Sequence, residues 1–430
     1  MSERDQDVND DILDIALQAG AIILQSGGET YRAEETMISV AASLGAESAS
    51  AFVTPTVVML TCVDPDGKSH TRIQRISDRS INLGRIARVN ELARRLAART
   101  RKACDTSSLC LSRNLRLVES MLGRIAGSPV HRALGVILAT AFASFFFSLL
   151  FLGSIREASI AFLVGGAMRS VLYLVAPLGL SSFFISVVGG FIITFLSRGV
   201  VILGFAASSG NISIAVLMSL VPGLAIVNAI RDIIAGDLVA GSARLMEAFV
   251  IAAALSLGAA FGLMLFPAET SLASASVFLT SLAPAFVFAF LATASFAFFF
   301  NISRYDILWC SLAGAAGWVA YLSLASITGS QSAAYMTGAL CVGILAELFA
   351  VIFRKPATVY IVPGIIPLVP GGGMYETMLM AVLGRMDDMA KVGFSALTAA
   401  GAIAVGIALA SSFARLVSRI RRPVFPRPPG

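Results

Sequence analysis

The sequence predicts an all-α polytopic membrane protein of about ten transmembrane helices, built as a 5+5 inverted repeat and preceded by a small cytosolic α+β domain. Three observations carry this. Of the 430 residues, 57% are hydrophobic and only 13% charged, whereas soluble proteins carry about 25% charged residues. The deficit is local, because residues 1–132 are ordinarily polar and long apolar runs dominate from Ala133 onward. The apolar part also repeats itself, with residues of one span recurring in a later span at constant offset.

The amino-terminal part comes first. The start, MSERDQDVNDD, is acidic, unlike a signal peptide with its basic n-region and apolar core. Everything before Ala133 is therefore expected to stay in the cytosol. Residues 11–25 place Ile12, Ile15, Ala16, Ala19, Ile22 and Ile23 at helical spacing, and Ser26-Gly27-Gly28 stops that helix. A second helix runs through ETYRAEETMISVAASLG to Gly45. Ala51 to Val63 is rich in β-branched residues and reads as one strand, with Pro55 marking an edge or bulge. Asp64-Pro65-Asp66-Gly67 is a turn, Lys68–Ile76 the return strand, and helices resume near Ser80 and near 107–125. The expected order is ααββαα.

Charge within this part is polarised. The first fifty residues hold ten acids against two bases, and residues 68–132 hold fifteen bases against four acids. A basic flank beside the first span suits anionic headgroups and a positive-inside orientation. Nucleic-acid binding is disfavoured, since no reader motif or aromatic interleaving accompanies the charge. Five scattered cysteines form no C-x-x-C pair, and His70 and His131 stand alone as ordinary surface residues. No metal, cofactor or catalytic residue is expected.

Apolar segments of spanning length fall near 133–153, 158–177, 181–197, 212–230, 244–266, 279–300, 306–325, 333–353, 357–383 and 392–414. The expected domains are 1–132 in the cytosol, membrane halves 133–266 and 279–414, and a basic, proline-rich cytosolic tail, 415–430. Gly166/Gly314, Ala167/Ala315, Val171/Val319, Tyr173/Tyr321 and Leu174/Leu322 align without a gap, and Val221-Pro222-Gly223 matches Val362-Pro363-Gly364. Five spans per half is odd, so the second copy enters the membrane inverted. Arg231, Arg244, Arg304, Arg354 and Lys355 then lie in cytosolic loops, and Arg156, Arg198, Arg385 and Lys391 outside.

Candidate substrate-binding residues follow from backbone chemistry. Pro222 and Gly223 interrupt the fourth span, and Pro363, Gly364, Pro370 and Gly371 the ninth. Proline removes a donor and frees a carbonyl one turn back, and such groups in hydrocarbon must be satisfied by protein, water or ligand. Polar residues follow each break: Asn228, Arg231 and Asp232 in the first half, Tyr375 and Glu376 in the second. Arg169, midway along the second span, is an intramembrane charge and a candidate by that fact. A kink packed by neighbours, or charges at the interface, is the plain alternative for these residues.

SGGETYRAEETMISVAASLG, AFVTPTVVMLT, the DPDG turn and R-x-N-E-L resemble the amino-terminal part of the threonine/serine exporter family. VPGLAIVNAIRDIIAGDLVAGSARLMEA and RKPATVYIVPGIIPLVPGGGMYETM are similar to the signatures of its two membrane halves. The resemblance implies a bacterial inner-membrane secondary exporter with both termini cytosolic, driven by the proton motive force. Its partners are a small solute (an amino acid or dicarboxylate), protons and the lipid bilayer, with room for a homo-oligomer. Fused halves point to threonine or serine, whereas split relatives are associated with dicarboxylate (succinate-type) export. A third reading, a membrane-bound hydrolase, would need Ser26, Thr30 or Tyr31 activated by Glu29, Glu34 or Glu35.

Overall fold

Seven elements open the chain: α1 (Glu3–Gln25), α2 (Thr30–Leu44), β1 (Ser48–Thr54), β2 (Val57–Val63), β3 (Ser69–Arg75), α3 (Leu83–Thr100) and α4 (Ser108–Ala126). They belong to a computed structural model that describes residues 3–63, 67–77, 80–100, 108–128, 131–206, 209–266 and 281–421. The strands form one antiparallel meander, β1-β2-β3. Residues 51–63, expected as one strand, are two. Thr54 pairs with Val57, so Pro55 and Thr56 make the turn, where a fixed φ helps and the missing N–H takes nothing from the ladder. The order is thus ααβββαα rather than ααββαα. The Asp64-Pro65-Asp66 part of the expected turn lies outside the described residues.

β2 alternates as a half-buried strand should, with Val58, Leu60 and Cys62 turned inward. They share a core with Leu13, Ala16 and Ile23 of α1 and Met37 and Ala41 of α2. Gly45 closes α2 at φ 112°, a left-handed conformation that suits glycine.

The remaining helices are α5 (Ala133–Leu150), α6 (Ile155–Val175), α7 (Ser182–Ile202), α8 (Ser209–Leu217), α9 (Gly223–Ala235), α10 (Leu238–Leu265), α11 (Leu282–Phe299), α12 (Arg304–Thr328), α13 (Gln331–Phe353), α14 (Thr358–Gly364), α15 (Gly371–Val382) and α16 (Met386–Arg421). Among the described residues, eight helices are long and apolar enough to cross a membrane, or nine if the pair 358–368 and 371–382, bent by 55°, is one span. Ten spans were expected. The difference is the fourth, where α8 and α9 are each too short to cross. The last helix continues to Arg421, past the expected start of the tail, and residues 422–430 lie outside the described residues.

Two compact units emerge from the packing. The first comprises Met1–Val136, Asn228–Glu247 and Ala297–Asp306; the second Ile137–Val227, Ala248–Phe296 and Ile307–Gly430. The first unit therefore includes chain segments far from the amino terminus. Leu83 N donates to Phe300 O at 3.0 Å and Asn301 Nδ2 to Asn82 Oδ1 at 3.1 Å. A Cβ on Gly84 would stand 2.5 Å from Asn301 O, so this close approach requires glycine. In the second unit α7 and α10 touch backbone to backbone: a Cβ on Gly258 would fall 1.9 Å from Val187 O, and one on Gly190 2.1 Å from Leu255 O. Small residues at a helix crossing are how membrane helices gain close packing.

Candidate transport site

The expected site residues divide between the two units. Asn228, Arg231 and Asp232 belong to the first; Arg169, Pro222, Gly223, Pro363, Gly364, Pro370, Gly371, Tyr375 and Glu376 to the second.

In the second unit both proline-glycine segments sit at helix breaks. α8 ends at Leu217 and α9 restarts at Gly223, directly after Pro222. Pro363 lies inside α14, a 3-10 turn covers Ile366–Leu368, and Pro370 stands at the N-cap of α15. The breaks meet. A Cβ on Gly223 would lie 2.0 Å from Val369 Cγ1 and 3.8 Å from Gly371 Cα. One on Gly371 would lie 3.1 Å from Met218 Sδ and 3.4 Å from Val221 Cγ1. The first break thus packs on the Val369–Gly371 stretch of the second. Gly364, by contrast, faces Val342 and Ala313, which a Cβ there would approach to 2.8 and 3.6 Å.

Tyr375 is buried on α15, and its carbonyl accepts from Ser256 Oγ of α10 at 3.3 Å. Glu376 beside it is half-buried. Arg169 of α6 donates from Nε to Thr140 Oγ1 of α5 at 3.2 Å, which anchors the guanidinium to a neighbouring helix. Arg169→Ala is expected to lower export at least about tenfold with insertion intact, and Lys to rescue only partly, since it lacks the planar fork. Substrate efflux from cells expressing matched amounts of protein measures this. Wild-type efflux from the alanine variant would reduce Arg169 to a packing role.

The first unit holds a buried charge cluster that the sequence only hinted at. Helix α1 ends at Gln25, Gly27 turns the chain at φ 83°, and Glu29 becomes the N-cap of α2. Its carboxylate is 1% exposed and pairs with Arg32 Nε and Arg231 Nη1, each at 3.2 Å. Burial alone would raise the Glu29 pKa, but Arg32 and then Arg231 more than reverse this and hold it at about 2. Arg244 Nη2 donates to Gly28 O at 2.8 Å, and its Nε lies 3.2 Å from Asp232 Oδ2. That contact lacks hydrogen-bond alignment, and neither Asp232 side-chain oxygen accepts a hydrogen bond among the described residues. Burial raises the Asp232 pKa to about 6, with Arg244 opposing. Thr30 Oγ1 donates to Asp237 Oδ2 at 3.2 Å. Asn228 is buried beside them in the chain, its Oδ1 without a hydrogen-bond partner among the described residues.

Two expectations change here. Arg244, expected in a loop as a topogenic charge, is a buried member of α10. Arg198, also assigned to a loop, lies within α7 and is 7% exposed. In the segment weighed as a hydrolase site, Glu29 is bound by two arginines and Glu34 accepts from Val53 N at 2.9 Å. Ser26 Oγ is buried without a hydrogen-bond partner among the described residues. Nothing in the sequence alone pointed to Glu29 and Arg231 as partners, although an acidic N-cap in a glycine-rich turn and a lone arginine after a break were both visible.

No solved structure matches the chain. A relative from Corynebacterium glutamicum named threonine/serine exporter is 24% identical over 96% of this chain and 83% of its own length. Residues 14–266 match a family model described as a threonine/serine exporter, and residues 285–413 match a second, described as "Threonine/Serine exporter, ThrE". With most of its length covered by these two models, the chain belongs to the threonine/serine exporter family.

Proposed function

We propose that this membrane protein is a secondary active exporter of threonine and serine, driven by the proton motive force across a bacterial inner membrane, with both termini cytosolic. The observation that carries the reading is the meeting of the two breaks, where Gly223 packs on Val369 and Gly371. Broken helices facing each other present backbone groups and helix-end dipoles to a polar solute within an apolar fold. Pro222, Gly223, Pro363, Gly364, Pro370, Gly371, Tyr375 and Glu376 supply that pathway. Arg231 and Asp232 belong with Glu29 and Arg244 to the buried charge cluster of the first unit. The sequence contains no G-x-x-x-x-G-K-[ST] motif with which to hydrolyse nucleotide, which favours a gradient as the energy source.

Vesicles preloaded with labelled L-threonine, L-serine or succinate test this directly. Efflux of the amino acids is expected, without added nucleotide, and an uncoupler should reduce it at least about tenfold. Efflux that persists in uncoupled, ATP-fed vesicles would sink the coupling. Efflux of succinate alone would transfer the assignment to dicarboxylates.

A further inference from the structure

Arg198 is a buried charge outside the cluster of the first unit. It lies one turn from the end of α7, on a buried stripe with Ile193, Thr194 and Ser197. It is 7% exposed, and it makes no ion pair or hydrogen bond among the described residues. A guanidinium keeps its charge under all physiological conditions, so burial cannot be relieved by losing a proton. Burying it without an anion costs several kcal/mol (order of magnitude), which a protein tolerates where an anion visits.

The surroundings describe that visitor. Thr194 and Arg198 stand four residues apart and share one face of α7. The Ser197 hydroxyl is buried and holds no hydrogen-bond partner among the described residues, and the buried Thr194 hydroxyl meets that of Tyr375. Across from this face is Tyr375, two residues after the glycines that open α15, near Arg198 and followed in the chain by Glu376. Glu376 is half-buried and forms no ion pair among the described residues. Arg198 and Glu376 are therefore two opposite charges near one tyrosine that form no ion pair with each other. A small molecule carrying both a carboxylate and an ammonium satisfies both.

We infer that Arg198 anchors the substrate carboxylate, with the Thr194 and Ser197 hydroxyls beside it, and that Glu376 faces the substrate ammonium. This deepens the exporter reading and rests on it. It also sets selectivity: a zwitterion satisfies both charges, whereas a dicarboxylate leaves its second carboxylate against Glu376. Arg198 is thereby a binding residue, and its loss should act on affinity ahead of turnover.

The test uses the full-length protein reconstituted in liposomes, with exchange of labelled L-threonine as the main readout. Melting in detergent with and without L-threonine, L-serine or succinate is the second. Arg198→Gln should raise the KM for L-threonine at least about tenfold and abolish ligand-induced stabilisation, while melting without ligand stays near wild type. Arg198→Lys should fall between. Glu376→Gln should weaken L-threonine but admit 3-hydroxybutyrate, which keeps the carboxylate and lacks the amine, as a competitor. An Arg198→Gln protein with wild-type KM and ligand stabilisation would overturn the inference. So would an Arg198→Lys protein whose kcat falls while its KM is unchanged, since that pattern belongs to a structural role. If the wild type exchanges succinate and not the amino acids, the threonine/serine assignment fails. Arg198 is then judged by the same variants against succinate: a raised KM upholds the carboxylate anchor, and an unchanged one removes it.

Discussion

Gly223→Ala is expected to reduce export by at least about tenfold, and Val369→Ala in the same chain to restore part of it. The new methyl would stand 2.0 Å from Val369 Cγ1, far inside van der Waals contact. Valine is stiff at χ1, and Val369 is buried at the end of the 3-10 turn, so it yields poorly. The strain falls on the contact between the two breaks. At Gly371 an added methyl meets Met218 Sδ at 3.1 Å, and methionine can move aside. Gly223→Ala should therefore harm export more than Gly371→Ala, although the second break has more prolines and glycines and on sequence alone would be the more sensitive. Leucine at 223 should remove activity altogether. Efflux normalised to inserted protein gives the ranking. Equal activity of Gly223→Ala and wild type, or no recovery on adding Val369→Ala, would show that the two breaks do not depend on each other.

Glu29→Gln should lower the apparent melting temperature of the first unit by roughly 5–10 °C. The substitution leaves the half-buried Arg32 and Arg231 without their shared carboxylate, and breaking a buried pair costs about 3–5 kcal/mol. The pKa displacement from 4.5 to about 2 gives on the order of 3 kcal/mol by linkage. The pH profile carries a sign for each acid. Glu29 has a depressed pKa, so its contribution is full above about pH 4.5 and is lost as pH falls toward 2. Asp232 is raised from 3.8 to about 6, so its charged form is a burden above pH 6 that protonation relieves as pH falls toward 3.8. Melting in detergent should thus rise from pH 7 to about pH 5 and fall below about pH 4. Asp232→Asn should flatten the upper limb, and Glu29→Gln the lower. A profile that only falls from pH 7 downward would contradict the burden assigned to Asp232.

Much of the architecture was legible in the sequence because the bilayer and the backbone impose strong local rules. Apolar runs of spanning length declared the helices α5–α7, α10–α13 and α16, since a chain in lipid must satisfy its own amides. Pro222-Gly223 and the Pro363–Gly373 run declared breaks, because proline and glycine act on their own residue and the turn before it. Pro55 was harder. It fits a strand edge and a two-residue turn equally well, and only the pairing of Thr54 with Val57 decided between them.

Charges were the part that only tertiary structure decided. Glu29 and Arg231 are separated by 202 positions, and no local pattern joins a glycine-rich turn near the amino terminus to the helix after the first break. Arg244 and Arg198 each flank an apolar run, where a solvated loop charge and a buried one look alike in sequence. Burial is a property of what packs against a residue, and packing is set by elements distant in the chain. The sequence by itself determined which segments are apolar, where they break and which family they resemble. The tertiary structure determined that the breaks touch through Gly223 and Val369, that Glu29 is held by two arginines, and that Arg198 is buried with no ion pair or hydrogen bond among the described residues.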